Sequence, residues 1–512
     1  MPDLSCDVLV VGAGPSGLIL ALCLAMCDVS VRIIDKEPVY RVGRRGAGIT
    51  PRTLEVFKML GVLDEVLKLA HKPVQFQSYE LPGGAKPLKT WAMSPTFEPT
   101  PACPFRNAVF LGQDQVEGIL RDRLKQFGCS VELGTELFSF EQSAEHVSAH
   151  LSTNAGQAQI NIKYLVGADG AKGVVRKQLG LSFLGETRTE DRLIVSDVIL
   201  DGLDLEVRPS PSIAIVFIPI LIDAPQHIHM WAKGPAATPN IRMVEELRKD
   251  RVLIVGDAAH VHSLFGGQGM NSSVQDSFNL GWKLASVTLG LSSPDLLSTY
   301  GEERLPVIAE MLDKTTELHK KAFKSDNLND TSHWKRNKSL DQLGVNYRWS
   351  SIVLDEKPRS AETHGAYGSD SEERPPLAGG DRAPDASGLL QSGGRELTLF
   401  EVFKYTAHTV LIFCPPAEQS AVDGIVHFLS NLPQKVQSVV IHPAGTDTSV
   451  EHIGTGADLF LCDQNGHGFE GYCAPPDRVC CVVVRPDGMV GAIVSGVPGL
   501  TKYFTTILPA FT

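Results

Sequence analysis

The sequence predicts an α/β fold in two bodies, the first of them built on a parallel sheet. Three observations predict it. A strand–helix–strand pattern fills the first 35 residues, a polar, Pro/Gly/Ser-rich passage runs over 326–395, and strand–helix alternation resumes beyond it. A chain of 512 residues suits two or three domains of roughly 100–200 residues each.

Taken in order, Cys6-Asp7-Val8-Leu9-Val10-Val11 is a β-branched apolar run that ends in glycines. An Ala/Leu-rich helix and a second strand over 29–34 complete a βαβ unit. Residues 48–70 read as one helix, with Leu54, Phe57, Leu60, Leu63, Val66 and Leu67 near 3.6-residue spacing, and 113–126 as another, through Val116, Ile119, Leu120 and Leu124. Mixed strands follow over about 130–235, and a short strand at 252–255 precedes a long helix. The passage 326–395, with its run Ser369-Asp370-Ser371-Glu372-Glu373-Arg374-Pro375-Pro376, has the composition of a linker. Apolar strands at 409–413 and 479–484 mark the second body, and no repeat of 20–50 residues is visible.

Composition excludes several classes. Acidic residues number 59 against 47 basic ones, giving a net charge of -12 with no Lys/Arg run to form a phosphate-binding face for nucleic acid. The ten cysteines form neither C-x-x-C nor a metal-ligand pattern; Cys23 and Cys27 read as small core residues, and Cys480 and Cys481 should point to opposite faces of a strand. The first strand begins at Cys6, which leaves no room for a signal peptide's charged region, and the longest apolar stretch, 18–26, is far short of a membrane span. The expectation is a reduced, cytoplasmic protein.

Gly12-Ala13-Gly14-Pro15-Ser16-Gly17 is G-x-G-x-x-G between a strand and a helix. Gly12 allows the tight turn, Gly14 lets the backbone approach a pyrophosphate, and Gly17 lets helix and strand pack closely, so the unit predicts a Rossmann-type dinucleotide site. Asp35 lies 23 positions after Gly12, at the tip of the second strand, where a carboxylate accepts ribose hydroxyls. A second G-x-G-x-x-G, at 466–471, follows a polar turn and runs into Ala474-Pro475-Pro476, so no helix is expected there and the match is read as chance. His260 and His262 form H-x-H without a third ligand at suitable spacing, so no metal is expected.

Two later motifs decide which dinucleotide. Tyr164-Leu165-Val166-Gly167-Ala168-Asp169-Gly170, followed by Arg176, resembles the Asp-Gly motif of flavoprotein hydroxylases, and Val252-Leu253-Ile254-Val255-Gly256-Asp257-Ala258-Ala259-His260 resembles their Gly-Asp motif. With the continuation Gly266-Gly267-Gln268-Gly269-Met270-Asn271, the chain resembles group A FAD-dependent aromatic monooxygenases of the p-hydroxybenzoate and phenol hydroxylase type, closest to fungal phenol-hydroxylase-like members. The resemblance implies a discontinuous FAD-binding domain of GR2-like fold (1–170 and 250–325), a substrate-binding β-sheet region (171–249), the linker 326–395 and a thioredoxin-like domain (396–512). It implies FAD contacts from Gly12, Gly14, Pro15, Ser16, Gly17, Asp35, Arg44 (with Arg45 an equal candidate), Gln113, Asp169, Gly256, Asp257, Gly269, Met270 and Asn271. Main-chain groups of Met270 and Asn271 would meet the isoalloxazine, where a helix N-terminus favours developing negative charge. Gly379-Gly380-Asp381-Arg382-Ala383-Pro384-Asp385 and Val484-Arg485-Pro486-Asp487-Gly488 resemble the edges of the thioredoxin-like appendage, which without C-x-x-C is expected to be structural or dimer-forming.

The implied reaction consumes NADPH, or NADH, and O2, and hydroxylates a small phenolic or aromatic substrate through a flavin C4a-hydroperoxide, in secondary metabolism. Oxidative decarboxylation of a hydroxybenzoate and a weakly active flavoprotein are the alternatives, and relatives suggest a homodimer. No catalytic side chain is assigned. Three departures bear on the substrate side: Ala47 stands where phenol hydroxylases carry a carboxylate, Leu264 stands where proline is usual, and only 88 positions separate Asp169 from Asp257. The shortening is expected between Trp231 and Asn240.

Overall fold

The structure is a computed structural model that describes residues 6–508 apart from 44, 73–75, 80–86, 93, 188–192, 201–214, 220–225, 234–239, 264–265, 325–337, 358–364, 369–374, 392, 416–417, 434–435 and 446–455. Arg44 and Leu264 therefore lie outside the described residues, as does most of the stretch between Trp231 and Asn240.

The first strand, β1 (Cys6–Val11), is buried along nearly all its length, as a strand covered on both faces requires. Helix α1 (Pro15–Met26) follows, and then β2 (Val31–Asp35), parallel to β1. The main sheet runs in the order Arg248–Lys249, Val252–Ile254, Gly156–Gly167, β1, β2, Val131–Leu133. Its five central strands are mutually parallel, whereas Arg248–Lys249 is antiparallel. An antiparallel extension, Glu136–Gln142 and Val147–Thr153, continues from Gly156–Gly167.

The segment expected as one helix over 48–70 is instead a short strand (Gly48–Ile49) and two helices, Pro51–Leu60 and Leu63–Leu69. The break falls at Gly61, whose φ of +70° closes the first helix with a left-handed cap, and Leu67 is left exposed. A second, five-stranded antiparallel sheet has the order Leu193–Leu200, Gln226–Lys233, Ile215–Pro219, Phe76–Tyr79, Pro87–Trp91. The region expected to be continuous over 171–249 thus takes two strands from earlier in the chain.

The C-terminal body is a mixed sheet in the order Leu354–Asp355, Val490–Val494, Cys480–Val484, His408–Phe413, Val436–Pro443, Leu459–Asp463, Leu389–Gln391, Glu396–Leu397. Strand His408–Phe413, helix Gln419–Ser430 and parallel strand Val436–Pro443 form a βαβ unit, and the hairpin Cys480–Val494 leads into helix Val497–Ile507. Cys480 belongs to one apolar cluster and Cys481 to the other, so adjacent residues of this strand face opposite layers, as the strand period demands. The passage 326–395 is not simply a linker: Leu354–Asp355 and Leu389–Gln391 are strands of this sheet, and Tyr347 and Tyr367 are fully covered. Average composition hid those packed stretches among their polar neighbours.

His408, at the start of its strand, is buried against Trp282, Tyr503 and Phe504, and neither ring nitrogen has a hydrogen-bond partner among the described residues. Burial, aided by the Arg485 charge, pushes its pKa down to about 3. The unfolded chain therefore binds one more proton than the native protein between that value and the ordinary histidine range, and stability falls as pH falls through this window. The unfolding free energy from denaturant titration should drop between pH 6.5 and 4, by at most about 1.4 kcal/mol per pH unit for this group. His408→Phe should flatten that slope; an unchanged slope would contradict the account.

Candidate cofactor site

The three motifs meet at the carboxyl ends of adjacent parallel strands. Ala168 N–H donates to Val11 O (2.8 Å) and Val255 N–H to Gly167 O (3.0 Å), so the ends after β1, Gly156–Gly167 and Val252–Ile254 form one hydrogen-bonded row. Ligands of open parallel sheets bind in the crevice outside such strand ends.

The glycines divide by what surrounds them. Gly12 has φ of +104°, and a Cβ there would lie 2.4 Å from Ala168 O; a Cβ on Gly17 would lie 1.9 Å from Gly12 O. Both are required by packing. At Gly14 a Cβ would meet nothing within 4 Å, and its backbone (φ -73°) suits any residue. None of the described residues requires a glycine there. Pro15 opens α1, where its missing N–H costs nothing. Ser16 is buried, its Oγ 2.3 Å from where a Cβ of Gly256 would stand, and its carbonyl accepts from Ser277 Oγ (2.8 Å). The glycine loop, the Gly-Asp motif and the long helix Gly269–Thr288 are thereby brought together.

Asp35, at the end of β2, accepts the N–H of Ala13 (2.9 Å) and of Glu37 (3.0 Å), which fixes its carboxylate beside the glycine loop. Asp257 is exposed although its neighbours Gly256 and Ala258 are covered. The surrounding protein still raises its carboxyl above the usual range, against the pull of His260 and Arg45. The same Arg45 charge acts on Glu117 of helix Gln113–Lys125. Gln113 donates to Glu117 (2.9 Å), and both Gln113 and Met270 approach Gly46. The Asn271 side chain is used internally: it accepts Thr50 N–H (2.9 Å) and donates to Gly48 O and Gly267 O (both 2.8 Å).

Asp169 sits differently. One oxygen accepts Val175 N–H (3.1 Å) at the start of helix Val174–Gln178, and the other is buried without a partner among the described residues. Burial raises its pKa. Arg176 spans the two later motifs, donating to Ala171 O (2.8 Å) and Ala258 O (3.0 Å) while stacked on Phe183. His260 is accounted for by Asp276 (2.7 Å), whose other oxygen takes Arg304 Nε (2.8 Å) and which also accepts Gly256 N–H (3.2 Å). Burial alone would raise Asp276, yet Arg304 and His260 hold its carboxyl below the usual range. Sequence spacing gave no sign of this Gly256–Asp276–Arg304 anchor. Its only trace is that a helix so rich in polar residues is buried nearly throughout. Ala47 is buried and carries no ionisable group.

The second G-x-G-x-x-G does start a helix, His467–Gly471, contrary to expectation, because Pro475 and Pro476 lie beyond its end and restrict nothing within it. Its first N–H groups, on Gly468 and Phe469, are taken by Asp463 (2.8 and 3.0 Å). No anion can dock where a carboxylate already sits.

The family described as FAD binding domain matches residues 5–221 and 221–315. A flavin-dependent monooxygenase of Mycobacteroides abscessus is 35% identical over 445 residues, covering 79% of this chain and 88% of that protein. Pentachlorophenol 4-monooxygenase of Sphingobium chlorophenolicum is 27% identical over 545 residues, covering 96% and 94%. The crystal structure of the flavin-dependent monooxygenase PieE with FAD and substrate shares the fold, with a TM-score of 0.81 at 22% identity over 99% of this chain and 100% of that one. The chain belongs to the FAD binding domain family, within the class of FAD-dependent monooxygenases. The residues assembled above suit that cofactor: an open backbone approach at Gly14, an exposed carboxylate at Asp257 and the start of the helix Gly269–Thr288, packed on Gly256 through Ser273.

Proposed function

We propose that this protein hydroxylates a phenolic ring, consuming NAD(P)H and O2, with an aromatic compound of secondary metabolism as its substrate. What supports the proposal is that Gly14 and Asp257 follow two of three adjacent parallel strands, that Asp35 ends the neighbouring β2, and that the helix begun at Gly269 packs on Gly256 through Ser273. Bound FAD would supply the redox and oxygen chemistry. The chain's part is to seat the dinucleotide on the Gly12–Gly17 loop, to engage the ribose beside Asp35 and the ribityl chain at Asp257, and to offer the N–H groups of Gly269–Asn271 to developing negative charge. Arg44 and Arg45 remain equal candidates for the role that the resemblance assigns there, and the Arg45 charge favours the Asp257 carboxylate.

Ala47 cannot take the phenol's proton, so ionisation falls to solvent or to another group. The name of the Sphingobium relative, a phenol monooxygenase, supports the substrate class. One observation favours a second reading, a weakly active flavoprotein: only 88 positions separate Asp169 from Asp257, and the family match breaks at residue 221.

The test is to follow NADPH and oxygen consumption by the FAD-loaded protein with a panel of phenols and hydroxybenzoates, and to search the product for oxygen from labelled O2. Phenol-stimulated consumption with label in the ring is the expected result. Flavin without phenol-stimulated turnover favours the second reading, and CO2 release from a hydroxybenzoate would replace plain hydroxylation by decarboxylation.

A further inference from the structure

The start of the long helix is held by a buried amide network whose centre lies in the passage that composition marks as a linker. Gln342 is fully buried and has φ of +63°, a left-handed conformation that costs a non-glycine residue about 1–2 kcal/mol unless its surroundings compel it. Its carboxamide nitrogen donates to Gln268 Oε1 (2.8 Å), Ser272 Oγ (3.2 Å) and the Tyr367 hydroxyl (3.4 Å). Its oxygen accepts from Gln275 Nε2 (2.8 Å) and Thr50 Oγ1 (3.0 Å).

Each partner holds a piece of the cofactor wall. Gln268 precedes the helix and donates to Gly266 O (2.9 Å) and Leu340 O (3.0 Å). Thr50 N–H is fixed on Asn271, which in turn grips Gly48 and Gly267. Gln342 thus joins the strand end at Thr50, the turn Gly266–Gly267 and the first turn of the helix. A residue kept only for packing needs neither the strained backbone nor five amide and hydroxyl partners. A residue that fixes the aim of three N–H groups needs both, because positioning groups work through such supporting hydrogen bonds.

We propose that Gln342 is a positioning residue for the cofactor, locking the Gly266–Asn271 turn in the geometry that receives the flavin; this rests on the reading of the crevice as the FAD site. Gln342→Gly removes the carboxamide and relieves the backbone but orphans its buried polar partners, so the apoprotein's unfolding midpoint should fall, and FAD binding is read at a temperature well below it. Its FAD Kd, from flavin-fluorescence titration of apoprotein, should rise at least about tenfold, and the reduction potential and visible band shape of the bound flavin should shift. Thr50→Val and Tyr367→Phe, near-isosteric changes at the network's edge, should produce smaller shifts in the same direction, and they decide the matter if Gln342→Gly does not fold. If the wild type binds no FAD, both the site and this proposal fall. If the wild type binds FAD and the variants match it in Kd, potential and band shape, the proposal alone falls.

Discussion

Glu303→Ala should destabilise the protein by about 3–5 kcal/mol, the largest loss expected of any single side-chain truncation considered. Glu303 is completely buried and receives Lys283 (2.7 Å), Asn279 (2.6 Å), Ser350 (2.7 Å) and both terminal nitrogens of Arg485 (2.7 and 2.9 Å). Asp487 completes the cluster, accepting from Arg485, Trp282 (3.1 Å) and Asn279 (3.2 Å). Two cations and two carboxylates thus balance within a region from which water is excluded. Burial would raise the Glu303 carboxyl, but Arg485 and Lys283 hold it well below its usual range, while burial brings Lys283 down to about 8. Removing Glu303 leaves Lys283 and Arg485 sharing one carboxylate, an uncompensated charge in low dielectric.

Lys283 and Asn279 belong to the helix that begins at Gly269, whereas Arg485 and Asp487 come from the C-terminal body. The same mutation should therefore loosen the two bodies and speed proteolysis between them. Urea unfolding followed by tryptophan fluorescence reads the first effect, and a loss below about 1 kcal/mol, the range of an exposed ion pair, would contradict this picture.

Gly14→Ala should leave the apoprotein's stability nearly unchanged and weaken FAD binding by roughly 10–100-fold, about 1–3 kcal/mol of steric conflict with the ligand. The added methyl meets no atom of the described residues within 4 Å beyond its chain neighbours, and the backbone there is already one that alanine adopts. Any large effect must then come from a group that approaches Gly14 from outside the fold. Gly12→Ala provides the contrast: its Cβ would press on Ala168 O at 2.4 Å with φ of +104°, so it should damage folding and binding together. Gly471→Ala, in the chance motif, should change neither, since its Cβ makes only ordinary contacts at 3.7 Å. Equal FAD affinity in wild type and Gly14→Ala would remove the pyrophosphate from this loop.

What the sequence made legible is local. The βαβ unit and the three motifs were readable because each needs consecutive residues in a fixed order, and their strand ends do lie side by side. The supports were not readable. Arg304 on Asp276, Gln342 on Gln268, and Arg485 on Glu303 join residues 28, 74 and 182 positions apart, and no local pattern encodes such pairings. Polar residues of the long helix, such as Ser272, Gln275, Asn279 and Lys283, look like a solvated face in sequence; they are buried because other segments supply their partners. The motif Val484-Arg485-Pro486-Asp487-Gly488 was visible as a domain edge, but its insertion against Trp282 belongs to the tertiary structure alone. The helix at 467–471 errs in the other direction, since prolines placed after a helix say little about its start.

The central claim is that the crevice at the three strand ends is an FAD site. The most direct measurement is titration of apoprotein with FAD, with NAD and NADP as controls, read by quenching of flavin fluorescence and by the visible spectrum of the protein recovered after gel filtration. Saturable binding of one FAD per chain, lost in Asp257→Ala and retained in Gly471→Ala, is the predicted result. Recovery of wild-type protein without flavin, or flavin content equal in those two variants, would contradict it.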